Sequence, residues 1–520
     1  MKLCILLLAV VSCAHAYHIL VWAPLPSHSH NTLGKGIVDA LLKAGHEITW
    51  VTGFPEKVGK NPPKTLHIID ASITREYVSD MNMLTNEKMD IGFIKQFARN
   101  VTMAGLEVPA LKEALIKTQF DAVVTEAFFC DVHAGVAAVQ QVPWILFNGV
   151  QLSPFLEAQV DDVRSIATVP LMFNDSPMPM GFLNRAVNVF IYTAIAVRQI
   201  WSRHEDVALY ESTFAPIAAA RGVALPPFED AHHNVSILLV NAHESLTPAF
   251  STPPNVINIA GYHFDENPAP LPKDLQDLLD SAKNGFVYFS MGSVVKSAML
   301  PEQTRLALIK IFSKLPYTVL WKFEEPISGL PKNVHVRPWL PQPSVLAHPN
   351  IKLFITHGGQ LSALEAVHAG VPMLAVPVFG DQPSNAERAV RGGYARRVDF
   401  HVNMAEDFEA ALKDLLSTDK YYKRVKELSK LFRARAVAPS HLIKHYVELA
   451  IETKGAYHLR SIALKYKWYE RWMLDVLLAF IIAVTAVSLL TKFAVNTLLS
   501  KLTGNKKTSF NNKQKAKKRN

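Results

Sequence analysis

Short apolar runs of strand length recur along most of this chain, separated by stretches whose apolar positions fall at helical spacing. In the first half, His18 to Ala23, Glu47 to Val51, Phe120 to Thr125, Pro143 to Phe147 and Ile237 to Val240 read as strands. Leu33 to Leu42 and Val108 to Ile116 carry the helical period between them. From Gly285 onward the runs FVYFSMGS, YTVLWKF, NVHVRPWL, IKLFITHGG and VPMLAVPV follow one another. Runs that are apolar throughout, without alternation, belong in sheets covered on both faces, and strands that alternate with helices make those sheets parallel. The pattern predicts two α/β halves, at residues 17–262 and 284–465. The Pro-rich segment 263–283, with Pro248, Pro253 and Pro254 just before it, is the expected linker.

Both ends of the chain break this rhythm. Met1 to Ala16 joins Lys2, an apolar run and Ala14-His15-Ala16, and reads as a secretory signal peptide (residues 1–16). Met473 to Thr491 supplies 19 mostly apolar residues behind Trp468, Tyr469 and Trp472. At about 1.5 Å per residue such a helix crosses a hydrocarbon core, with the aromatic residues at its interface. Residues 492–520 carry nine basic and no acidic side chains. They account for the formal charge of +9, and without them and Lys2 the rest of the 520 residues is nearly neutral. A basic-groove nucleic-acid binder is therefore excluded, and the tail reads instead as the cytosolic end of a single type I span. Lys517 and Lys518, fourth and third from the end, resemble a dilysine retrieval signal of the endoplasmic reticulum. Asn100, Asn234 and, less well because of Pro177, Asn174 begin glycosylation sequons for that lumen. Removing the leader takes Cys4 and Cys13, so Cys130 is left without an intrachain partner and reads as a small buried hydrophobe.

The densest chemistry lies in the 44 residues from Trp339 to Gln382. The strand Ile351 to Thr356 is broken by His357-Gly358-Gly359, Gln360 to Ala369 is helical, and Val371 to Val378 is a second buried strand. A strand that feeds a glycine turn into a helix aims backbone N–H groups and a positive dipole end at one spot, which suits a phosphate. His357 adds a donor there, Glu365, Asp381 and Gln382 can bond sugar hydroxyls, and Trp339 offers a face for a base.

This stretch resembles the signature of the UDP-glycosyltransferases of the UDP-glucuronosyltransferase type, including arthropod-like members. The resemblance implies the glycosyltransferase-B fold, two facing Rossmann-like domains with the acceptor held by the first and the nucleotide sugar by the second. It assigns Trp339 and Gln342 to the uracil and ribose, and Glu365 to the ribose hydroxyls. His357, Gly359 and Ser293, at the end of FVYFSMGS, go to the diphosphate, and Asp381 and Gln382 to the transferred sugar. No metal cluster with ligand spacing is present, and no cofactor is implied beyond the UDP-sugar co-substrate.

Two histidines compete for general base in the turn Ser27-His28-Ser29-His30, which precedes an amphipathic helix. The family places its base 16 residues ahead of a Gly-His-Glu histidine, here His46, which selects His30. A helix N-terminus disfavours imidazolium and should keep that ring neutral. The family's supporting Asp is replaced here by Glu126, and Asp131 and Asp121 stand close enough in sequence to compete with it. These residues imply an inverting hexosyltransferase in which His30 deprotonates the acceptor hydroxyl and Glu126 supports the imidazolium. The alternative is a catalytically silent lumenal binding subunit of the same fold. Intact His30 and donor motif argue against that alternative, and only Glu126 in place of Asp argues for it. Family members that use glucuronate carry an Arg near the strand Ser236 to Ala242, where Asn241 stands here, so UDP-glucose is the expected donor. The expected acceptor is small and lipophilic, and a homo-oligomer is left open. The apolar segment Gly181 to Trp201 fits either a bilayer surface or a buried helix.

Overall fold

The computed structural model describes residues 16–79, 91–161, 165–171, 176–264 and 268–517. The expected leader, apart from Ala16, lies outside these residues, as do Asn174 and the last three positions. Residues up to Ser461 form one compact unit, and Ile462 onward a second.

The first unit holds two parallel sheets. The N-terminal sheet has seven strands: β1 (His18–Trp22), β2 (Glu47–Thr52), β3 (Leu66–Asp70), β4 (Ala122–Glu126), β5 (Trp144–Asn148), β6 (Val235–Val240) and β7 (Val256–Asn258), in the order β3-β2-β1-β4-β5-β6-β7. The second has six: β8 (Phe286–Ser290), β9 (Thr318–Lys322), β10 (Val334–Arg337), β11 (Ile351–Thr356), β12 (Met373–Ala375) and β13 (Ala395–Arg397), in the order β10-β9-β8-β11-β12-β13. In each sheet the order reverses between the first and fourth strands, β1/β4 and β8/β11. A doubly wound sheet opens a ligand crevice at the carboxyl ends of the strands at such a point. Central strands are buried on both faces, with Trp22, Trp50, Trp144 and Trp321 among the largest enclosed side chains.

Two Rossmann-like halves were the expectation, but β3, β7 and β13 carried no strand signal. All three are edge strands, β7 and β13 of only three residues, and β3 and β13 expose polar side chains (Leu-His-Ile-Ile-Asp and Ala-Arg-Arg). An edge strand need not be an apolar run, because one side of it faces solvent.

Six helices matter below. They are α1 (His28–Lys43), α2 (Phe182–Arg221), α3 (Gln360–Ala369), α4 (Gln382–Arg391), α5 (Pro439–Glu452) and α6 (Leu474–Lys517). The reading that ran the second half to residue 465 put α5 with that half. Instead, Ile443, Val447 and Ala450, on one face at i, i+4 and i+7, join the core of Ile19, Val21, Val124 and Ile237 in the first sheet. The chain therefore crosses back and covers the first half. His46 sits beneath α5, buried, with Nε2 3.3 Å from Glu448.

In the second unit, Leu474–Thr503 of α6 is long and apolar enough to cross a membrane, its most apolar 18 residues having a mean hydropathy of 2.4. The helix runs past the expected stop at Thr491, because Lys492 is a good helix former and further apolar residues follow it.

Candidate active site

His30 occupies the third position of α1, directly after β1. Ser27 caps that helix with its side chain, and its Oγ accepts from the His30 backbone N–H at 3.4 Å. Glu126 is the last residue of β4, the strand beside β1, so the topology brings the two together. His30 Nδ1 lies 2.5 Å from Oε1 of the fully buried Glu126. Gly149, after β5, leaves room for this carboxylate, since a Cβ there would come within 3.2 Å of Oε1.

Burial pushes the His30 imidazole down, but the Glu126 charge and hydrogen bond, with Asp381 adding to them, hold it above its ordinary value. A helix N-terminus was expected to keep the ring neutral. The correction follows from distance, because a carboxylate in direct contact outweighs a helix dipole worth about 1 kcal/mol or less. The competing residues go elsewhere. Asp131 faces His232 at 3.5 Å and accepts from Gln159, and Asp121 accepts from the His18 backbone N–H at the other end of β4. His28 bonds Lys57 and packs on Phe54 and Trp339. A file of aromatics runs from the base, with Phe128 5.4 Å from the His30 ring and Phe97 and Phe129 next to Phe128.

Across the cleft, His357 directly follows β11. A Cβ on Gly292 would stand 2.6 Å from its ring, and one on Gly359 would stand 2.5 Å from it. Two glycines thus clasp the imidazole, and Gly292, at φ +93, needs to be glycine for its backbone as well. Burial, followed by the Lys322 charge, pushes His357 down to about 4, so it is neutral near pH 7. Ser293 follows Gly292 in the loop after β8 and is partly exposed. Gly359 is the N-cap of α3, whose first-turn N–H groups open beside His357.

Farther along α3, Glu365 is half-buried, and desolvation pushes its carboxyl up to about 7. Gln342 ties it in, donating to Glu365 Oε2 at 2.6 Å and to Ser362, and accepting from Tyr288. Trp339 is 54% exposed, with His28 and Lys57 of the first half and Lys322 of the second against its ring. Asp381 stands at the N-cap position of α4 and accepts from Asn385 at 2.6 Å, and burial raises its carboxyl. Gln382 turns its Oε1 to the backbone N–H groups of Val378 and Phe379, so part of its amide organises its own loop. Asn241, at the end of β6, is fully buried. It donates to the Gly149 carbonyl, and its own carbonyl accepts from Gln360 of α3, a bond that crosses between the halves.

Three residues of this cleft escaped the sequence reading: Lys322 beside His357, and Asn385 and Arg388 on the face of α4 that begins at Asp381. The i, i+4, i+7 spacing of Asp381, Asn385 and Arg388 was the available signal. Arg388 lines a cavity with Asp381, Gln151 and Ser153, and burial lowers its guanidinium to about 10. Away from the cleft, at the amino ends of β1, β2 and β3, His18, Glu47 and His67 place ligand-type atoms within 4.8 Å of one another. They come from three strands, so no spacing announced them. His67 bonds Glu47 and His18 bonds Thr49.

Two doubly wound halves whose switch points converge on one cleft define an enzyme of the glycosyltransferase-B class. Solved structures agree on the fold. The spinosyn forosaminyltransferase SpnP has a TM-score of 0.57 at 18% identity, covering 84% of this chain and 99% of that one. The calicheamicin glycosyltransferase CalG4 has a TM-score of 0.55 at 18% identity over the same shares. The chain belongs to the UDP-glucoronosyl and UDP-glucosyl transferase family, whose profile matches residues 17–508. UDP-glucosyltransferase 2 of Dactylopius coccus is 29% identical over 502 residues, covering 94% of this chain and 95% of that one. Human UDP-glucuronosyltransferase 2B7 is 27% identical over 502 residues, covering 91% and 92%. The protein is a glycosyltransferase that uses a UDP-sugar.

Proposed function

We propose that this enzyme transfers glucose from UDP-glucose to a hydroxyl of a small lipophilic acceptor, in one inverting displacement with His30 as general base. The observation that carries the reading is the 2.5 Å contact between His30 and Glu126 at the switch point of the acceptor half. With Nδ1–H bonded to Glu126, the other ring nitrogen is left to take the acceptor proton as its oxygen attacks the anomeric carbon. Glu126 then stabilises the imidazolium, as the raised basicity of the pair favours. On the leaving side, the N-terminus of α3, neutral His357, Lys322 and Ser293 would receive the diphosphate charge. Gln342 and Glu365 would hold the ribose, Trp339 the uracil once its lysine neighbours shift, and Asp381 with Gln382 the transferred sugar. The aromatic file beginning at Phe128 supports a lipophilic acceptor.

Glucose is preferred because each cation near Asp381 already has a partner. Arg388 bonds Gln360 and Asn385 beside the Asp381 carboxylate, and Arg391 faces Glu387 at 3.7 Å. A second reading, glucuronate, draws on one observation, the guanidinium of Arg388 in the cavity that Asp381 shares. α6 is read as a single type I span of the endoplasmic reticulum, with the catalytic body in the lumen and the basic tail in the cytosol.

The test is UDP release and product stereochemistry from the full chain, with both donors and a panel of phenols. An inverted glucoside is expected. No product from either donor would favour the silent binding subunit.

A further inference from the structure

The amino ends of β1, β2 and β3 break the pattern of the sheet face they belong to. Parallel register pairs His18 with Glu47 and Thr49 with His67. Because Glu47 and Thr49 are two apart on β2, all four side chains point to one face. Farther along that face stand Leu20, Trp22, Val51 and Ile69, which belong to one buried core. Where this core ends, three adjacent strands set two imidazoles and a carboxylate side by side. His18 and Glu47 are half-buried there, and His67 is exposed.

The ligand-type atoms of His18, Glu47 and His67 lie within 4.8 Å of one another. An ion at the centre of such a triangle is within about 3 Å of each atom, and small side-chain rotations close the rest to zinc bond lengths of about 2.0–2.2 Å. His67 Nε2 already stands 2.7 Å from Glu47 Oε1. Thr49 Oγ1 is 2.9 Å from His18 Nε2, and Phe120 packs against the same ring with centroids 4.8 Å apart, so that imidazole is fixed. Asp121 brings a second carboxylate to this edge, accepting from the His18 backbone N–H at 2.7 Å. The charges that act on His18 are those of Glu47, His67 and Asp121. A set with two carboxylates and no lysine or arginine favours a cation.

We propose that His18, Glu47 and His67 bind one zinc ion, with water in the fourth position. Two imidazoles and a carboxylate suit this borderline-soft ion, whereas calcium and magnesium take oxygen ligands. The ion ties the edge strand β3 to β1 across β2, at the end of the sheet opposite the cleft. An edge strand is paired on one side only, so a clamp here acts on the strand least held by its neighbours. Three protein ligands leave one position open, and the ion adds to an arrangement that strand pairing already sets.

The test titrates the full chain, without a polyhistidine tag, with zinc alone against a fluorescent zinc indicator. One equivalent should bind with a Kd of about 1 µM. Calcium or magnesium in roughly hundredfold excess should not displace it. His67→Asn and Glu47→Gln should each weaken binding by about tenfold or more, with turnover at the wild-type level. His401→Ala, at an exposed histidine of the second half, should leave binding unchanged. Zinc should also slow amide hydrogen exchange over Leu66–Asp70 in the wild type and not in His67→Asn. Zinc uptake that survives both substitutions, or falls equally in His401→Ala, would assign the ion to other histidines and overturn the proposal. A Kd above about 1 mM would overturn it as well. Uptake lost in both variants, with exchange at β3 indifferent to zinc, keeps the site and sinks the clamp.

Discussion

His30 Nδ1 stands 2.5 Å from Glu126 Oε1, and the same imidazole feels the Asp381 carboxylate from the opposite half of the molecule. The residue proposed to take the acceptor proton is thus biased by one carboxylate of its own sheet and by a second from the donor side. His30→Ala should lower kcat by about 100-fold or more while leaving UDP binding nearly unchanged, measured by turnover and by calorimetry. Loss of turnover in His28→Ala with retention in His30→Ala would transfer the role to His28.

The sign of the pH dependence follows from the raised imidazole. A general base must be neutral, so kcat/KM should climb as pH rises through the raised His30 value. Glu126→Gln removes the charge that lifts it, and burial then pulls the ring down. The rising limb should therefore move to lower pH, and the plateau should fall. The same pair should stabilise the fold below the ordinary imidazole value, with that contribution lost as pH rises through the folded value. A pH–rate profile of the variant that keeps its limb in place would separate Glu126 from His30 catalytically.

The two glycines around His357 make a sharper steric test. Gly292→Ala places a methyl 2.6 Å from the ring and asks an L-residue to hold φ +93. Displacing the imidazole by about 1 Å should weaken donor binding by about tenfold, or 1.4 kcal/mol, with the acceptor KM unchanged. Thermal unfolding beside the kinetics distinguishes a lost contact from a damaged loop.

Glu365 gives a second pH signature. Burial holds its carboxyl up to about 7, and as the carboxylate it accepts from ribose hydroxyls while as the acid it must also donate. Donor KM should therefore fall as pH rises through about 7 in the wild type. It should be flat and higher in Glu365→Gln. A wild-type donor KM independent of pH over that range would take Glu365 out of the ribose contact.

Much of this site was legible in the sequence because its parts lie at punctuation marks. Trp339 through Gln382 carries two apolar strands, a glycine turn and a helix in order, and the structure keeps the first strand and the helix at their expected bounds while shortening the second strand from Val371–Val378 to Met373–Ala375. Legibility failed where the third dimension decides. Lys322, at the end of a buried strand, reads from sequence as an ordinary flanking charge. Only the parallel pairing of β9 with β8, and of β8 with β11, sets it near His357. The direction of the His30 shift was misjudged for the same reason, since the 96 residues separating it from Glu126 hide a contact shorter than any helix-dipole effect. The sequons give a related lesson. Asn100 is exposed, whereas Asn234 accepts from Arg460 and its sequon Ser236 is fully buried in β6. A glycan is therefore expected on Asn100 and not on Asn234.

The donor preference is the prediction that most depends on where charges sit. A glucuronate carboxylate enclosed near Asp381 would place two anions together, and like charges in a dry cleft are costly unless a cation lies between them. Arg388 is the cation available, but its Nη2 bonds Gln360 at 3.3 Å and also bonds Asn385, which itself holds Asp381. On this geometry Arg388 balances Asp381, and little positive charge remains for a second carboxylate. UDP-glucose should therefore exceed UDP-glucuronate by at least about tenfold in kcat/KM, the equivalent of 1.4 kcal/mol. Asn241→Arg, attractive from sequence, should not narrow that gap, because Asn241 is fully enclosed and its amide supports the Gly149 carbonyl. Arg388→Leu is the informative change. If Arg388 only balances Asp381, turnover with both donors should fall by similar factors. If it grips the uronate, glucuronate turnover alone should collapse while glucose turnover persists. That second outcome, with wild-type preference for UDP-glucuronate, would replace the glucose assignment and leave the family, the fold and His30 as they stand.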